Sequence, residues 1–352
     1  MKNTIFKLLT IPLAFSLLNP AWGQSIEETL QDLIEGNAKG YLSPLVTAFG
    51  TGMNSGTFHR AKPHKVLGFD VTLNLSVTII PNSDLEYEFF LSDKLLPLTI
   101  PLPTGDVDIN LAISDLYQTG VKVSTCFGDN TEVPIPVNTT GAYSAIVSEV
   151  AAETDLSETD VETLAGTEIT NIVNSLEPLK GPPGINIPLW PTVMPQVSVG
   201  LPFHTELTLR GFKIETPEGD PISFFGFGAK VYLNQFIPTI PLVFPAISVG
   251  YYATNLNMGD FIKANNSILT LQVSKSVPVI TVYGGFGIEN SSITVDLKDE
   301  TDEQILDFSL DGDNSFRTIV GLRLKLAVLS LHVDYNIGEY PAINAGIGLT
   351  IR

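Results

Sequence analysis

The sequence predicts an all-β protein, an antiparallel transmembrane β-barrel of roughly 12 to 14 strands with a short N-terminal helical segment and an acidic helical insertion. Three observations predict this fold: a leader typical of exported proteins, long segments of alternating apolar and polar residues, and apolar runs interrupted by prolines. Of the 352 residues, 44% are hydrophobic and 16% are charged. Soluble domains usually carry more charge, roughly a quarter of their residues.

Composition also excludes several classes of protein. A chain this hydrophobic is not disordered, and its single cysteine, Cys126, cannot form an internal disulfide. The formal net charge of -19 argues against binding to nucleic acid, whose phosphates require a basic surface. No phosphate-binding loop or nucleophile motif is present, and the sequence predicts no cofactor and no metal.

Residues 1–23 are predicted to be a secretory signal peptide. Lys2 and Lys7 precede an apolar run over residues 8–18, and Ala-Trp-Gly at residues 21–23 is a cleavage site with small flanking residues. The run is shorter than the about 20 apolar residues that a membrane-spanning helix requires. We therefore expect export and cleavage, with the outer membrane of a Gram-negative bacterium as the destination.

Alternating residues identify the predicted strands. From Phe69 to Ile79, each odd-numbered residue is apolar and each even-numbered residue is polar. Successive side chains of a strand point to opposite faces, so one face is apolar over a membrane-crossing length. A transmembrane barrel turns this face to lipid, whereas a soluble secreted β-protein buries it. Similar runs occur at residues 196–210, 225–233, 320–328 and 343–351.

Charged residues within these runs favour the barrel. They fall on the polar phase of their strands, where a barrel tolerates charge because the side chains point into a polar lumen. The candidate lumen-lining residues are Arg210, Lys230, Arg323, Lys325, His332 and Asp334. The four cations predict a bias toward anions, since charge acts strongly in a confined lumen.

Residues 24–65 are predicted to form a helical segment ahead of the barrel. A capping box at residues 25–28 precedes apolar residues at helical spacing. One interpretation makes the segment a plug or a periplasmic lid. The alternative, which an apolar helical stripe ordinarily favours, is a packing segment that closes one end of the lumen. The candidate plug residues are Ile26, Leu30, Leu33, Tyr41 and Phe49.

The barrel is assigned to residues 66–352, interrupted by an acidic helical insertion at about 139–184. This insertion combines helix-forming residues with many acids. A helix is expected to begin at Ser157 and to end near Pro178. Because a lipid-facing strand could not carry this charge, the insertion is expected outside the bilayer.

Residues 39–81, 190–211 and 224–242 resemble a bacterial family of predicted outer-membrane β-barrel proteins of unknown function. The features that carry the resemblance are Tyr-Leu-x-Pro-Leu, Ala-Lys-Pro-His and Gly-Leu-Pro-Phe-x-Thr-Glu-Leu. The resemblance covers nearly the whole mature chain, and it implies the fold and the location but no substrate. In architecture alone, the chain is also similar to long-chain fatty-acid transporters, which place an N-terminal segment in the lumen.

Two pairs of residues are candidates for chemistry. His332 and Asp334 are two apart on one strand face, as Asp and His pairs are in membrane-embedded proteases, but polar lining of the lumen is the simpler interpretation. His59 and His64 lie in a predicted loop without the further ligands that a metal site requires. The sequence therefore predicts that the protein is not an enzyme.

The predicted function is that of an outer-membrane pore or transporter for small molecules, including hydrophobic ones. One alternative is a non-transporting structural or surface-binding outer-membrane protein. Another is a membrane-embedded hydrolase that would use His332 and Asp334. The expected partners are outer-membrane lipids, the barrel-assembly machinery and a small-molecule cargo.

Overall fold

The computed structural model describes residues 35–93, 95–215, 221–237, 244–258, 262–298 and 304–351. The predicted signal peptide and the candidate plug residues Ile26, Leu30 and Leu33 lie outside these residues. The helices are α1 Glu35–Asn54, α2 Ile113–Leu116, α3 Thr139–Glu153 and α4 Glu158–Ser175, with 3-10 turns at Asn82–Asp84 and Leu233–Phe236. In chain order, the strands are β1 Phe69–Ile79, β2 Glu86–Glu88, β3 Leu95–Leu102, β4 Gly105–Ala112, β5 Lys122–Ser124, β6 Pro134–Ile135, β7 Leu179–Lys180, β8 Leu189–Leu201, β9 Thr205–Glu215, β10 Pro221–Tyr232, β11 Ala246–Met258, β12 Ile262–Ser276, β13 Ile280–Lys298, β14 Gln304–Asp311, β15 Phe316–Leu326, β16 Leu329–Ile337 and β17 Ala342–Ile351.

Ten antiparallel strands close into a barrel, as the sequence predicts. β1 pairs with β8 on one side and with β17 on the other, and β12 pairs with β13 to complete the ring. Around the ring the order is β1, β8, β9, β10, β11, β12, β13, β15, β16 and β17. Closure leaves none of these ten strands at a free edge.

The number of strands in the ring is ten rather than the 12 to 14 expected from the sequence. The short strands β2 to β7 pair with one another in separate two-stranded sheets, and β14 pairs only with β13. The ring strands are also long, since β13 alone has 19 residues. The expected number was therefore too high for two reasons: the ring strands are longer than expected, and several strands lie outside the ring.

The outer face of the barrel is apolar. Along β1, Val71 and Leu75 are 47% and 41% exposed, whereas Asp70, Thr72 and Asn74 are at most 2% exposed. Each of the ten ring strands carries exposed large apolar residues on this outer face. This is the reverse of a soluble β-sandwich, and it is the exterior that a transmembrane barrel presents to lipid. Within the described ranges, no helix combines the length and the hydropathy needed to cross a bilayer.

The chain divides into two compact units. The barrel unit includes residues 42–82 and 187–351, and the second unit includes residues 35–41 and 83–186. The second unit has its own hydrophobic core between α3, α4 and the β3–β4 hairpin. Fully buried side chains in this core include Ile100, Ile109, Ile146 and Ile169.

Helices α3 and α4 occupy the predicted acidic insertion. The backbone N–H of Asp160 donates a hydrogen bond to the hydroxyl of Ser157 at 3.2 Å, which forms a capping box at the start of α4. The helix ends at Ser175, ahead of Pro178. Both helix boundaries follow from capping and proline rules that act locally.

Candidate functional site: a plugged lumen

The inner wall of the barrel is polar on every ring strand. The same alternation that turns apolar residues outward sends polar and charged residues inward. One buried example from each strand, in ring order, is Asp70, Gln196, Arg210, Lys230, Thr254, Gln272, Glu289, Arg317, His332 and Asn344.

A segment of the same chain occupies this polar lumen. Residues 42–54 of α1 and the following residues 55–65, called the plug from here on, contact or closely approach all ten ring strands. The wall residues next to the plug are, in ring order, Asp70, Trp190, Arg210, Lys230, Ser248, Ser274, Glu289, Arg317, His332 and Asn344. This arrangement places residues 42–65 inside the lumen.

Two glycines let the plug helix lie close to opposite walls. A β-carbon at Gly50 would overlap the side chain of Ser291 on β13, and one at Gly52 would overlap Thr192 on β8. Because β8 and β13 are five positions apart in either direction around the ring, they face each other across the lumen. The helix therefore spans the lumen, and larger residues at these two positions would not fit.

Arg317, on β15, connects the plug to the wall. Its Nη2 donates to the carbonyl oxygen of Thr51 at 3.1 Å, and its Nη1 donates to the hydroxyl of Ser55 at 2.8 Å. The same guanidinium forms a salt bridge with Glu289 on β13, with Nη2 and Oε2 2.8 Å apart. The amide of Asn54 donates to this carboxylate at 3.0 Å. Plug and wall thus share one buried ion pair, which is costly to break from one side.

Arg210, on β9, holds the end of the plug helix. Its Nη1 donates to the carbonyl oxygen of Met53 at 2.8 Å, and its Nη2 donates to that of Ser55 at 2.6 Å. Carbonyl groups at a helix C-terminus lack partners within the helix and attract a cation. Arg210 therefore caps α1 from the barrel wall.

The loop after β14 contacts the plug helix at Thr47 and Thr51. The backbone N–H of Asp313 donates to the hydroxyl of Thr47 at 3.0 Å. The amide of Asn314 donates to the carbonyl oxygen of Thr47 at 3.4 Å and to the hydroxyl of Thr51. Asn314 also accepts a hydrogen bond from the backbone N–H of Tyr340 at 3.2 Å. This loop joins the plug helix to the connection between β16 and β17.

Two histidines of the plug bind carboxylates of the wall. The Nε2 of His59 is 2.9 Å from Oδ2 of Asp70 on β1. The Nδ1 of His64 is 2.8 Å from Oε2 of Glu206 on β9, whose Oε1 is 2.7 Å from Nζ of Lys230 on β10. All five side chains are buried. Asp70 thus joins the wall to the plug, and Glu206 joins the plug to two neighbouring strands of the wall.

The backbone of Arg60 and Ala61 is held between these histidines. Lys230 Nζ donates to the carbonyl oxygen of Arg60 at 3.1 Å, and the hydroxyl of Ser248 donates to that of Ala61 at 2.6 Å. The N–H of Ala61 donates to the hydroxyl of Ser274 at 2.9 Å. Wall side chains thus satisfy backbone groups that no regular structure in the plug pairs.

Burial sets the protonation of His59, which lies in the plug and outside the spanning strands. Removal of its imidazole from water lowers the pKa to about 4, because the opposing pull of Asp70 is smaller and the cations Arg60 and Arg323 add to the lowering. Burial also lowers the pKa of His64. Both imidazoles are neutral at pH 7. Across the described ranges, no group of three or more ligating side chains is arranged to hold a metal ion.

His332 and Asp334 both line the lumen on β16. The Nε2 of His332 is 2.9 Å from Oδ1 of Asn74 on β1. Asp334 accepts hydrogen bonds from the hydroxyl of Tyr283 and from the amide of Asn344, both at 2.8 Å. These contacts link β16 to its neighbour β17 and, across one intervening strand on either side, to β1 and β13, as polar lining does.

The two remaining lumen candidates differ in burial. Arg323 is 2% exposed, and its Nη2 donates to the hydroxyl of Thr350 on β17 at 2.9 Å. Lys325 is half-buried, one residue before the end of β15. The structure therefore places Arg323 inside the wall network and Lys325 at one end of the lumen.

The two plug candidates within the described residues lie in different units. Phe49 belongs to the plug and packs edge-on against Trp190 of β8, with ring centroids 6.4 Å apart. Tyr41 belongs to the second unit, where its carbonyl oxygen accepts a hydrogen bond from the backbone N–H of Cys126 at 3.1 Å. Of these two residues, only Phe49 is part of the plug.

Sequence patterns did not single out Glu289, Arg317 or Glu206 as functional residues. All three are charged and face inward, so strand phase is the signal that could have found them. Their partners could not be found in this way. Arg317 and Thr51, for example, are 266 residues apart in the chain.

Comparisons with known proteins give a family and two similar solved structures. A model of a family of unknown function (DUF6588) matches residues 1–351. OmpTdeltaL8, a loop L8 deletion mutant of the Vibrio cholerae outer membrane protein OmpT, is 14% identical over 81% of this chain and 99% of its own, with a TM-score of 0.24. In-vitro folded Vibrio cholerae OmpT in its trimer form is 11% identical over 80% and 98%, also with a TM-score of 0.24. No curated protein matches the chain.

Proposed function

The chain belongs to the family of unknown function DUF6588, and we propose that it is an outer-membrane transporter for small molecules, including hydrophobic ones, whose lumen the plug closes at rest. Residues 1–23 direct its export as a signal peptide, and its apolar exterior suits the outer membrane of a Gram-negative bacterium. The observation that carries the proposal is the attachment of the plug to the wall by polar groups.

A polar wall favours a removable plug over a permanent core. Permanent cores gain most of their stability from apolar burial. This lumen has apolar contacts, such as that of Phe58 with Tyr283, but hydroxyls, amides and charges line every strand of its wall. The buried hydroxyls of Thr72, Ser76 and Thr78 on β1 have no hydrogen-bond partner within the protein. Water would hydrate such a wall if the plug moved, so the empty lumen would form an aqueous path.

An apolar patch within the lumen supports a cargo with hydrophobic parts. It consists of Phe49 and Met53 of the plug, Phe212 of β9 and Phe224 of β10, which line a common small cavity. Phe212 and Phe224 pack edge-on, with ring centroids 5.2 Å apart. Such a patch offers contacts that a hydrophobic molecule needs.

A preference for anions near Arg323 is part of the proposal. Lys230 is paired with Glu206, and Arg317 with Glu289, so these cations are balanced. Arg323 has a hydroxyl as its hydrogen-bond partner. With the plug displaced, Arg210 and Arg323 are wall cations without an ion-pair partner, and Asp70 and Asp334 are wall acids without one. The lumen is therefore balanced as a whole, and Arg323 is positive only locally. Arg323→Gln should lower the anion preference measured in planar bilayers, and an unchanged preference would refute this part of the proposal.

Liposome swelling tests transport directly. Wild-type protein should give slow solute flux, and Arg317→Met, which weakens plug attachment, should give faster flux. Lys263→Gln, a change of an exposed cation on β12, serves as the control and should behave as wild type. Absence of flux in all three proteins, with the barrel folded, would contradict transport and favour the non-transporting structural role.

The proposal includes no enzymatic step. Asp334 is bound by hydroxyl and amide donors, and His332 faces Asn74 and the plug. His332→Ala should therefore leave any hydrolysis of ester and peptide probes by the purified protein at the background rate. A specific hydrolytic activity that disappears in this variant would favour the membrane-embedded hydrolase.

A further inference from the structure

The connections at one end of the barrel are apolar. β1 begins at this end and β17 ends there, and the chain turns here from β8 into β9, from β10 into β11, from β12 into β13 and from β15 into β16. Three of these turns have only two or three residues. The described residues of the connections, called the rim from here on, are 62–68, 202–204, 233–237, 244–245, 277–279 and 327–328.

Every connection of the rim exposes a large apolar side chain. One example from each, between 53% and 86% exposed, is Leu67, Phe203, Phe236, Val277 and Val328. Turns in contact with water ordinarily carry Gly, Asn, Asp and Ser instead. Apolar tips on all connections at one end therefore indicate that something other than water covers this end.

Two of these tips are held in a backbone conformation that favours glycine. Leu67 has a φ of 59° and Phe203 a φ of 62°. Both angles lie in the left-handed region, where a β-carbon is unfavourable. Glycine would relieve this strain, yet the two positions carry highly exposed apolar side chains. Strain of this kind is typical of functional positions, so it supports a binding role for the tips.

The rim is basic, although the protein is acidic. The whole chain has 38 acidic and 19 basic residues, but no rim residue is Asp or Glu. Lys62 and Lys65 are exposed there. The acids at the adjoining strand ends, Asp70 and Glu206, are buried inside the lumen. The rim therefore combines apolar and positively charged side chains, which fits a partner with negative charge.

The rim also continues the lipid-facing exterior without a polar border. Outward-facing Leu322, Leu324 and Leu326 of β15 are followed by Val328 in the next turn, and all four are exposed. β16, which begins after this turn, has nine residues. A transmembrane strand needs about 9 to 11 residues to cross the hydrocarbon core. The turn therefore lies at the membrane boundary, where lipid is the partner at hand.

The lengths of the turns indicate which leaflet this is. Outer-membrane barrels have short turns on the periplasmic side, so the rim belongs to the periplasmic leaflet. Apolar side chains beside lysines are typical of surfaces that lie in the interface of an anionic membrane. The apolar groups enter the acyl boundary, and the lysine ammonium groups stay with the lipid phosphates.

We propose that the rim is a binding surface for anionic phospholipid, with its apolar tips among the acyl chains and Lys62 and Lys65 on the phosphates. Both lysines belong to the plug, so the plug ends at the membrane surface. The proposal goes beyond the proposed function, since it assigns a lipid to one end of the barrel whatever passes through the lumen.

Nitroxide labels on the full-length protein in vesicles of phosphatidylcholine and phosphatidylglycerol test the position of the tips. Phe203→Cys and Val328→Cys place labels on two tips. Val333→Cys, on the outer face of β16, is the lipid control, and Glu158→Cys, exposed on α4, is the water control. The native Cys126 is buried. Labels at the tips and at Val333 should collide more with oxygen than with a water-soluble nickel chelate, and the label at Glu158 should show the reverse.

Spin-labelled phosphatidylglycerol and phosphatidylcholine test the selection of lipid. The wild-type protein should prefer phosphatidylglycerol at least about fivefold, which is the effect of one lysine near an anionic surface. Lys62→Gln with Lys65→Gln should remove most of this preference. Lys122→Gln with Lys180→Gln removes two exposed cations outside the barrel unit and should leave the preference unchanged.

Three results would overturn the proposal. Tip labels as accessible to the nickel chelate as the label at Glu158 would do so and would favour a periplasmic protein as the partner. Equal binding of both lipids by the wild-type protein would do so, as would an unchanged preference in folded Lys62→Gln with Lys65→Gln. Either tip label decides alone if the other variant does not fold. Neither assay measures transport, so absence of solute flux would refute the proposed function and leave the lipid surface in place.

Discussion

Replacement of Arg317 by methionine should release the plug while leaving every barrel strand intact. The guanidinium bonds Thr51 and Ser55 of the plug and pairs with Glu289 of the wall. Methionine keeps much of the side-chain length and none of the donors. The Glu289 carboxylate, with 1% side-chain exposure, would retain the amide of Asn54 as its hydrogen-bond donor.

The magnitude follows from the burial of this pair. Removal of one partner of a buried ion pair costs about 3 to 5 kcal/mol, because the other charge remains uncompensated. The cost applies to the docked plug, whereas water would hydrate Glu289 once the plug has left. A loss of about 3 kcal/mol raises the ratio of undocked to docked plug about a hundredfold.

Single-channel recordings in planar bilayers measure this ratio as open probability. Arg317→Met should raise the open probability strongly. The double variant Arg317→Met with Glu289→Met should reverse at least half of this increase, because no unpaired charge is left buried. The reasoning would be refuted if the single variant opened no more often than wild type. It would also be refuted if the double variant opened as often as the single one.

Three further changes act on other contacts of the plug. Gly50→Val places a side chain against Ser291 and should weaken docking of the plug by about 1 to 3 kcal/mol, which raises the open probability. Adding Ser291→Gly should lower the open probability again. If it does not, the helix and the wall are not in close contact at this point. Asn314→Ala removes hydrogen bonds to the plug helix and should weaken docking of the plug by about 1 to 2 kcal/mol. Proteolysis of the plug should then be faster. An unchanged cleavage rate would contradict a stabilising role for these bonds. Lowering the pH from 7 to 5 should weaken docking of the plug by about 2 kcal/mol and so raise the open probability. The reason is that undocked His59 binds a proton near pH 6.5, while burial holds the pKa of docked His59 at about 4. An equal rise in open probability in His59→Gln would rule this residue out.

The barrel wall could be predicted because its signal is local. Alternation along residues 69–79 assigns Val71 to the exterior and Asp70 to the lumen, and the structure places both as expected. The capping box at Ser157 is equally local. The strand number was less accessible, because nothing in the sequence of β2 to β7 distinguishes strands of the ring from hairpins outside it.

The seating of the plug depends on contacts between distant parts of the chain. The packing of Gly50 against Ser291, and of Gly52 against Thr192, requires both the helix and the closed ring. Helical spacing suggested a packing segment but could not show that polar groups would hold it.

A reversible cross-link between plug and wall would test most directly whether the plug closes the lumen. An ideal β-carbon at Gly52 lies 3.0 Å from the β-carbon of Thr192, about 0.5 Å below the shortest separation usual in disulfides. A small shift of the helix, once Thr192 has lost its hydroxyl and methyl groups, brings two cysteines at these positions to bonding distance. The native cysteine, Cys126, is buried. With Gly52→Cys and Thr192→Cys, the oxidised protein should stay closed in single-channel recordings, and a reductant should restore openings. Openings of equal frequency and size before and after reduction would contradict closure by the plug.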